Sequence, residues 1–425
     1  MRVYARARGP ACPAVDLNLT PRQRELVDRA YRLAIERFAP RADKHDHEAS
    51  FPVEDFQDLH DAGLLGLCVP ETYGGLGMGF ETYCLVAEQI ARGNASTALC
   101  YNMHATTMLM MGEVADRMPL PDQARALHDR RRAKLFREVV ERGVVYGQPH
   151  SEPVEQGTAD QLRAGGRRFG TCAEPVTGGY VVTGRKFFVS LAGAADYFAT
   201  PALLVGDGPW IDRTLYLAIP KDAPGVEFEG DWDPMGMRAT VSRDMVLTNV
   251  FVPDEASILP PGLFGALHNA WPHGALSFSA TFLGLMQAAY DFTLAYLTGH
   301  VPGAPGMQTE VPVKGYGVAQ MLFGLEAARA LFYRSISECR VSPPKEVEQR
   351  ARAAHVAIQR GVVELTTEAI RVCGGRAMLK RYPLERYARD ARAAALMRPW
   401  TQDVATQQAW EIELGLRPPA AGGPG

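Results

Sequence analysis

The spacing of apolar residues changes twice along this chain of 425 residues, and this change constrains the fold more than any other feature. From residue 20 to about 143, apolar residues recur at helical spacing. Between 144 and 256 they fall into short β-rich runs divided by glycine and proline, such as Tyr180–Thr183 and Met245–Val252. From Gly274 onward the helical spacing returns. The sequence therefore predicts a multi-domain α+β fold, with helices first, a β-rich centre and helices again.

These changes of pattern divide the chain into five expected segments. They are a disordered arm at 1–16, an N-terminal helical domain at 17–143, a central antiparallel β-barrel or sandwich at 144–256, a C-terminal four-helix bundle at 257–416 and a disordered tail at 417–425. Thr20, with Gln23 three residues later, predicts a capping box at the start of the first helix, and Pro40 is expected to end that helix.

Composition excludes several classes of protein. Apolar residues make up 47% and charged residues 22% of the chain, as in an ordinary globular protein. The formal net charge of −3 gives no overall positive field, so we expect no nucleic-acid partner. The most apolar stretch, Leu276–Tyr290, carries serine, threonine and glutamine, so we expect a bundle helix and no membrane span. Seven scattered cysteines predict neither a disulfide framework nor a zinc site and favour a cytoplasmic protein.

The usual nucleotide and hydrolase motifs are missing from the sequence. It has no Rossmann glycine fingerprint after a strand, no P-loop and no nucleophile elbow. The dense run of potential metal ligands from Asp43 to Glu48 is expected to be a solvated loop, because adjacent residues on a helix-to-loop exit diverge from one another. Chemistry must therefore be sought in a more dispersed pattern.

Six short blocks supply that pattern. In chain order they are His60–Gly77, Ser151–Pro153, Gly184–Ser190, Trp232–Ser242, Asn249–Pro253 and the pair Gly374–Gly375 followed by Pro383–Ala391. Each block alone is weak, but their order and spacing together resemble the acyl-CoA dehydrogenase superfamily of flavoproteins over nearly the whole chain. The fold of that family agrees with the domain order read from periodicity.

The resemblance implies a cofactor, partners and site residues. FAD would lie between the β-domain and the bundle, and the family oxidises an acyl thioester, carried by CoA or an acyl carrier, at its Cα–Cβ bond. Electrons would pass to an electron-transfer flavoprotein or to oxygen, and the protein would be a homodimer or homotetramer. By position, the residues that flank the flavin or allow its close approach are Tyr146, Ser151, Phe188, Ser190, Gly374 and Gly375.

The chain departs from the family pattern where the chemistry is done. The family places a catalytic glutamate at one of two positions, and these positions hold Gly274 and Arg398 here. A further departure is Gly299–Lys314, where the family has an arginine that reaches the FAD of the neighbouring subunit.

Three interpretations of the missing glutamate stay open. In the first, the enzyme is still a dehydrogenase and a substitute base acts, for which His273 and Asp403 are the candidates. In the second, it is a monooxygenase of the same fold, which receives reduced flavin from a flavin reductase and needs no such base. In the third, it is a non-catalytic scaffold that keeps the flavin pocket.

Overall fold

The computed structural model describes residues 19–152 and 170–416. The predicted arm at 1–16 and tail at 417–425 lie outside the described residues, and the proposed domain limits stay a prediction. The N-terminal part is helical, as predicted. Its helices are α1 (Pro21–Leu33), α2 (Ala39–Glu48), α3 (Val53–Asp61), α4 (Phe80–Gly93), α5 (Ala95–Leu109) and α6 (Asp122–Arg142).

The start of α1 confirms one local prediction, and its end corrects another. The Thr20 hydroxyl accepts from the Gln23 amide (3.2 Å), and the Gln23 side chain accepts from the Thr20 amide (2.9 Å), which completes the capping box. Pro40 does not end the helical segment, which continues to Glu48. A π-helical turn at Ala34–Phe38 separates α1 from α2, so Pro40 falls in the first turn of α2, where a proline is tolerated.

The central domain is one mostly antiparallel sheet of eight strands within the described residues. The strands are β1 (Tyr146–Gly147), β2 (Cys172–Val176), β3 (Gly179–Val189), β4 (Tyr197–Leu204), β5 (Thr214–Pro220), β6 (Val226–Glu229), β7 (Arg243–Pro253) and β8 (Ser257–Leu259). Their order is β6-β7-β3-β2-β4-β5-β8, with β1 paired to β4. The β1–β4 and β2–β4 pairings are parallel, and the others are antiparallel. The predicted antiparallel β-structure in the centre of the chain is confirmed, and its strands form one sheet.

The C-terminal part is helical again and contains the predicted four-helix bundle. Its helices are α7 (Leu263–Ala270), α8 (His273–Leu297), α9 (Pro312–Ser337), α10 (Lys345–Cys373), α11 (Leu384–Ala391) and α12 (Gln402–Glu413). Helix α8 also packs closely on α4 of the N-terminal part. At Gly284 a Cβ atom would lie 2.2 Å from the Glu88 carbonyl oxygen, so the two helix backbones nearly touch there.

The described helices and acidic residues were compared with the requirements of a membrane span and of a metal site. Within the described ranges, no helix combines the length and the apolar character that crossing a membrane requires. In the same ranges, no group of three or more His, Cys, Asp or Glu residues is arranged to hold a metal ion. The run from Asp43 to Glu48 is not the solvated loop that the sequence predicts, because it lies in α2. Asp43 pairs with Arg386 (3.1 Å), and Asp46 pairs with Arg389 (2.6 Å). These ion pairs join α2 to α11.

Candidate functional site

Backbone strain is concentrated in two segments of the β-domain. Seven non-glycine residues have positive φ in the described part of the chain, and four of them are Phe188 (51°), Leu191 (64°), Met237 (54°) and Val241 (46°). Such conformations cost about 1–3 kcal/mol each and persist where the surrounding structure demands them, often at functional sites. We call residues 188–191 and 237–242 the cradle.

Hydrogen bonds hold the two segments of the cradle together. The Leu191 amide donates to the Thr240 carbonyl (2.9 Å). The Ser242 hydroxyl lies 2.8 Å from both the Ser190 and the Thr240 hydroxyls, which makes a chain of three hydroxyl groups. The predicted site residue Ser190 is therefore part of a network of hydrogen-bonded hydroxyl groups that lies beside the strained backbone.

Phe188 gives the cradle an aromatic surface. Its side chain is 72% exposed although it belongs to a β-strand, because its positive φ directs the residue away from the core. The neighbouring Phe187 amide donates to the Ser151 carbonyl (2.8 Å), so Ser151 lies directly beside this strand. Three of the residues predicted to contact flavin, Ser151, Phe188 and Ser190, are thus brought together.

A buried ion pair anchors the strand behind the cradle. The Lys186 ammonium and the Glu152 carboxylate pair with side chains that are 0% and 3% exposed. Lys186 also donates to the Pro201 carbonyl (2.8 Å), and Glu152 accepts from the Thr171 amide (3.2 Å). Burial lowers the pKa of Lys186 to about 8, although Glu152 opposes this shift. Burial acts to raise the pKa of Glu152, but the charge of Lys186 and the hydrogen bonds that Glu152 accepts together outweigh burial, so the pKa is lowered.

The C-terminal helices complete the cradle. The Met237 amide donates to the Asp390 carboxylate (2.6 Å), and burial raises the pKa of Asp390 to about 6. Gly236 packs directly on this helix, because a Cβ atom there would lie 2.4 Å from the Arg389 carbonyl oxygen. Arg389 also donates to the Met235 carbonyl (3.0 Å). Residues far apart in sequence therefore fix the strained loop.

Helix α5 runs from the cradle toward the start of the bundle. Near its first turns, Cys100 approaches the Thr240 carbonyl (3.9 Å). Further along, the Asn102 side chain donates to the Tyr83 hydroxyl (2.6 Å) and to the Ser277 hydroxyl (2.8 Å). Ser277 lies in the first turns of α8, and its hydroxyl donates to the Gly274 carbonyl (2.7 Å). The α4–α5–α8 junction is therefore polar, tightly bonded and adjacent to the cradle.

The first of the two usual glutamate positions is covered by a tryptophan. A Cβ atom built on Gly274 would lie 3.0 Å from Cε3 and 3.1 Å from Cζ3 of the Trp271 indole. Trp271 is itself buried, and its indole N–H lies 3.4 Å from the Cys339 sulfur. A glutamate at 274 would therefore meet the ring of Trp271.

His273 is buried at the same junction. Neither of its ring nitrogens has a hydrogen-bond partner within the described residues. Its ring meets that of Phe80 edge to face, with centroids 6.5 Å apart and planes at 74°. Burial lowers its pKa to about 4, with a smaller contribution from Arg340, so the imidazole is neutral at pH 7.

The second glutamate position lies on a turn that is tied to the bundle. Arg398 is exposed, and the following Trp400 is buried. The Trp400 carbonyl accepts from Gln359 Nε2 (2.8 Å) and lies 2.9 Å from His355 Nε2. Asp403, the other candidate base, is exposed in the first turn of α12, which packs on α10. Its role as a substitute base stays a prediction without support from its surroundings.

The remaining predicted residues lie elsewhere. Tyr146 is buried, its ring is stacked on Tyr197 (5.5 Å), and its amide donates to His104 (3.2 Å). Gly374 and Gly375 end α10 on an open surface, since an added Cβ atom at either would meet nothing within 4 Å. The structure brings neither glycine to the contacts of the cradle.

Sequence reasoning did not single out Trp271 as a residue of the candidate site. No spacing or motif marks it, because its effect depends on a side chain reaching across a turn to Gly274. The link between Met237 and Asp390 was likewise not predicted, although both residues belong to blocks that the sequence singled out.

Comparison with known proteins gives the family. Three models described as acyl-CoA dehydrogenase N-terminal, middle and C-terminal domains match residues 20–117, 163–250 and 276–398. The putative acyl-CoA dehydrogenase YdbM of Bacillus subtilis is 30% identical over 87% of this chain and 92% of its own. L-evernosamine nitrososynthase of a Micromonospora species is 28% identical over 95% of this chain and 93% of its own.

A solved structure shows the same fold. TdsC from Paenibacillus sp. A11-2, in complex with FMN and indole, matches with a TM-score of 0.78 and 22% identity over 93% of this chain and 98% of its own. This chain belongs to the acyl-CoA dehydrogenase family. It is a flavoprotein oxidoreductase by family, and the cofactor that the family uses is FAD.

The residues present fit a flavin. The cradle offers an exposed aromatic ring at Phe188 and a row of hydroxyl groups at Ser190, Thr240 and Ser242, which suits a planar, polar-edged ring system. When bound, the flavin supplies redox chemistry that no side chain can perform. The chain itself supplies position and hydrogen bonds.

Proposed function

We propose that this protein is a monooxygenase of the acyl-CoA dehydrogenase fold, which uses reduced flavin and dioxygen to oxygenate an organic substrate. The observation that carries the proposal is the contact of the Trp271 indole with Gly274. The usual dehydrogenase removes a proton with a carboxylate at one of two positions. Here the first position has no side chain and is covered, and the second holds the exposed Arg398.

The relatives support this choice in part. A nitrososynthase is among the similar proteins, and TdsC, which shares the fold, is described as a dibenzothiophene monooxygenase. The partner would then be a flavin reductase that delivers reduced flavin, and electron-transfer flavoprotein would have no role. We place the protein in the cytoplasm, where reduced flavin is available.

A second candidate is the acyl-thioester dehydrogenase that the sequence resemblance first implies. One observation favours it: His273 lies one residue from the first glutamate position and is neutral at pH 7, so it has a nitrogen free to accept a proton. In that case an acyl-CoA would be the substrate, and electron-transfer flavoprotein would be the partner.

We also propose that the protein is a homo-oligomer, as the family resemblance implies. Helix α9 exposes Val313, Tyr316 and Phe323, which recur at helical spacing on one face. Large apolar side chains in such a row favour burial against a second copy of the chain. Light scattering on the purified protein tests this proposal, and a monomer would overturn it.

An anaerobic titration separates the two reactions. The FAD-loaded protein is mixed with short-, medium- and long-chain acyl-CoAs, and the yellow absorbance band is followed. The proposal expects no bleaching with any acyl-CoA. It also expects that dioxygen is consumed, with oxygenated product, only when a reductase supplies reduced flavin.

The opposite results identify the alternatives. Bleaching that is present in the wild type and lost in His273→Gln would establish the dehydrogenase with His273 as base. A purified protein that never retains flavin under any condition would support the non-catalytic scaffold.

A further inference from the structure

A small cavity, lined by residues outside the cradle, lies between α6 and the chain around β8. We call it the α6 cavity, and its lining includes His128 and Arg131 of α6, Ser257 of β8, Pro260 and Pro261. Its volume is about 80 Å³. That is several times the volume of about 10–15 Å³ that one water needs, and about half the volume of a cavity that holds benzene. The α6 cavity therefore suits a ligand of a few heavy atoms and is too small for an aromatic ring.

Two polar side chains that line the α6 cavity are buried without a partner. His128 and Ser257 are each 2% exposed. Within the described residues, neither Nδ1 of His128 nor Oγ of Ser257 has a hydrogen-bond partner. An unpaired buried polar atom is costly to a fold, and buried polar atoms in proteins are nearly always paired. Because both residues line one cavity, a single ligand in that cavity would satisfy both atoms.

The hydrogen of the His128 ring is placed by a contact on the far side of the ring. Its Nε2 lies 3.1 Å from the carbonyl oxygen of Met111, and a carbonyl oxygen only accepts, so Nε2 carries the hydrogen. Burial, and then the charge of Arg132, lower the pKa of His128 to about 4, so the ring is neutral at pH 7. Nδ1 is therefore an acceptor, and a ligand that pairs with it must donate a hydrogen bond.

The α6 cavity also favours a negative charge. Arg131 is half-buried in its lining, and an arginine is always ionised in proteins. Among the described residues that line the cavity, none carries a carboxylate. The neighbouring Arg132 is already paired with Asp116 (2.6 Å) and Asp129 (2.7 Å). Arg131 thus supplies a cation to the cavity, and the hydroxyl of Ser257 supplies a further donor.

We propose that the α6 cavity binds inorganic phosphate, a small oxyanion that keeps a hydroxyl group. The phosphate hydroxyl donates to Nδ1 of His128, while the Ser257 hydroxyl and the Arg131 guanidinium donate to the charged oxygens. Phosphate retains at least one proton at pH 7, whereas sulfate has nearly the same size and shape and retains none. Sulfate would place a bare oxygen against the acceptor Nδ1, so the cavity should reject it. The bound phosphate joins α6 of the N-terminal part to β8 of the sheet.

The experiment is a calorimetric titration of the FAD-loaded protein at pH 6. The bound FAD occupies the contacts that serve its own phosphates, and pH 6 lies above the pKa of about 4 of His128, so the ring stays neutral. Sodium phosphate and sodium sulfate are titrated separately at equal ionic strength. We expect phosphate to bind at least about tenfold more tightly than sulfate, because sulfate leaves a buried acceptor unpaired.

Two adjacent arginines give a matched pair of variants. Arg131→Gln should weaken phosphate binding at least about tenfold, because it removes the cation from the cavity. Arg130 is exposed and is not part of the lining, so Arg130→Gln changes the net charge equally and should keep the wild-type affinity. In His128→Leu the ratio of phosphate to sulfate affinity should fall to about one. Should that variant fail to fold, Ser257→Ala removes one buried hydroxyl and should still weaken phosphate binding several-fold.

Four outcomes would overturn the proposal. They are no phosphate binding, which would leave the cavity to water, equal binding of phosphate and sulfate by the wild type, full affinity in Arg131→Gln, and an equal loss in Arg130→Gln. Glycerol phosphate that binds as tightly as phosphate would overturn the assignment to the free ion. The assay contains no reductant and no organic substrate, so the proposed monooxygenase can fail without affecting the result.

Discussion

Lys186 and Glu152 form a salt bridge that almost no solvent reaches, on the strand that leads to the cradle. Lys186 precedes Phe187 and Glu152 follows Ser151, and the amide of Phe187 donates to the carbonyl of Ser151. The pair therefore fixes the spacing of the two chain segments that carry Ser151 and Phe188. Loss of this ion pair should lower both the stability of the protein and its affinity for flavin.

Replacing Lys186 with methionine should destabilise the protein by about 3–5 kcal/mol, because it removes one partner of a buried ion pair. Flavin content after purification should fall as well. Urea denaturation and the absorbance ratio of flavin to protein measure the two effects. The double variant Lys186→Met with Glu152→Leu should recover much of the stability.

The adjacent Arg185 provides the control for that prediction. It pairs with Asp244 (2.9 Å) and Glu229 (3.0 Å) on the exposed face of the same sheet. Since exposed ion pairs contribute about 0–1 kcal/mol, Arg185→Met should change stability little and leave flavin binding intact. Equal effects at 185 and 186 would mean that burial is not what makes the Lys186 pair important.

A second prediction concerns Asp390. Asp390→Ala should leave the Met237 amide without an acceptor, at a cost of about 1–3 kcal/mol, and should loosen the loop that carries Val241. Hydrogen exchange at residues 237–241 and the flavin dissociation constant report this loosening. Asp390→Asn keeps an acceptor oxygen and should protect the same amides nearly as well. Identical exchange in both variants would argue against a role for this hydrogen bond.

A third prediction uses two glycines of the bundle. Gly284→Ala should destabilise the protein by about 1–3 kcal/mol or more, because the new methyl group would lie 2.2 Å from the Glu88 carbonyl oxygen and would push α8 away from α4. Gly324→Ala on α9 meets nothing within 4 Å and should stabilise by about 0.5–1 kcal/mol through helix propensity. Thermal denaturation of both variants checks the opposite signs.

A fourth prediction is acid sensitivity. Burial lowers the pKa to about 4 for four histidines of the described chain: His104, His128, His273 and His355. Their unfolded pKa is about 6.5, so between pH 6.5 and 4 the unfolded state binds more protons than the native state. Stability should therefore be full above pH 6.5 and should fall as the pH drops toward 4, by up to about 1.4 kcal/mol per pH unit for each histidine.

Urea denaturation at a series of pH values measures this dependence. The His355→Gln variant should show a shallower slope than the wild type, because it lacks one of the four groups. Asp390 has the opposite effect on stability. Because its pKa is raised to about 6, its contribution to the free energy of unfolding is present at low pH and is lost as the pH rises through 6. A flat profile between pH 6.5 and 4 would contradict the assignment of neutral buried histidines.

The sequence was sufficient for the parts of the fold that depend on periodicity and on local chemistry. The helical start, the β-rich centre, the bundle helices and the Thr20 capping box all follow from residues near one another in the chain. The prediction that Pro40 ends the first helix is wrong. A π-helical turn interrupts the hydrogen-bond ladder just before Pro40, so the proline falls at the start of the next helix. That turn has no signal of its own in the sequence.

The candidate site was predictable only in outline. Ser151, Phe188 and Ser190 were found because each belongs to a recognisable block, and they are neighbours in the structure. The cover that Trp271 places over Gly274, and the unpaired state of His273, depend on how three helices and a turn pack together. No rule of spacing gives such contacts, because they arise from tertiary packing alone.

The link from Met237 to Asp390 spans 153 residues of sequence, and the one from Asp46 to Arg389 spans 343. During synthesis, every strand of the sheet leaves the ribosome long before the helix that locks the strained loop. A chain truncated ahead of Leu384 would keep Ser190 and Phe188 but would lose Asp390, whose carboxylate accepts the hydrogen bond of the Met237 amide. Retention of the yellow colour would then report whether translation had reached the last helices, more than whether the β-domain itself had folded.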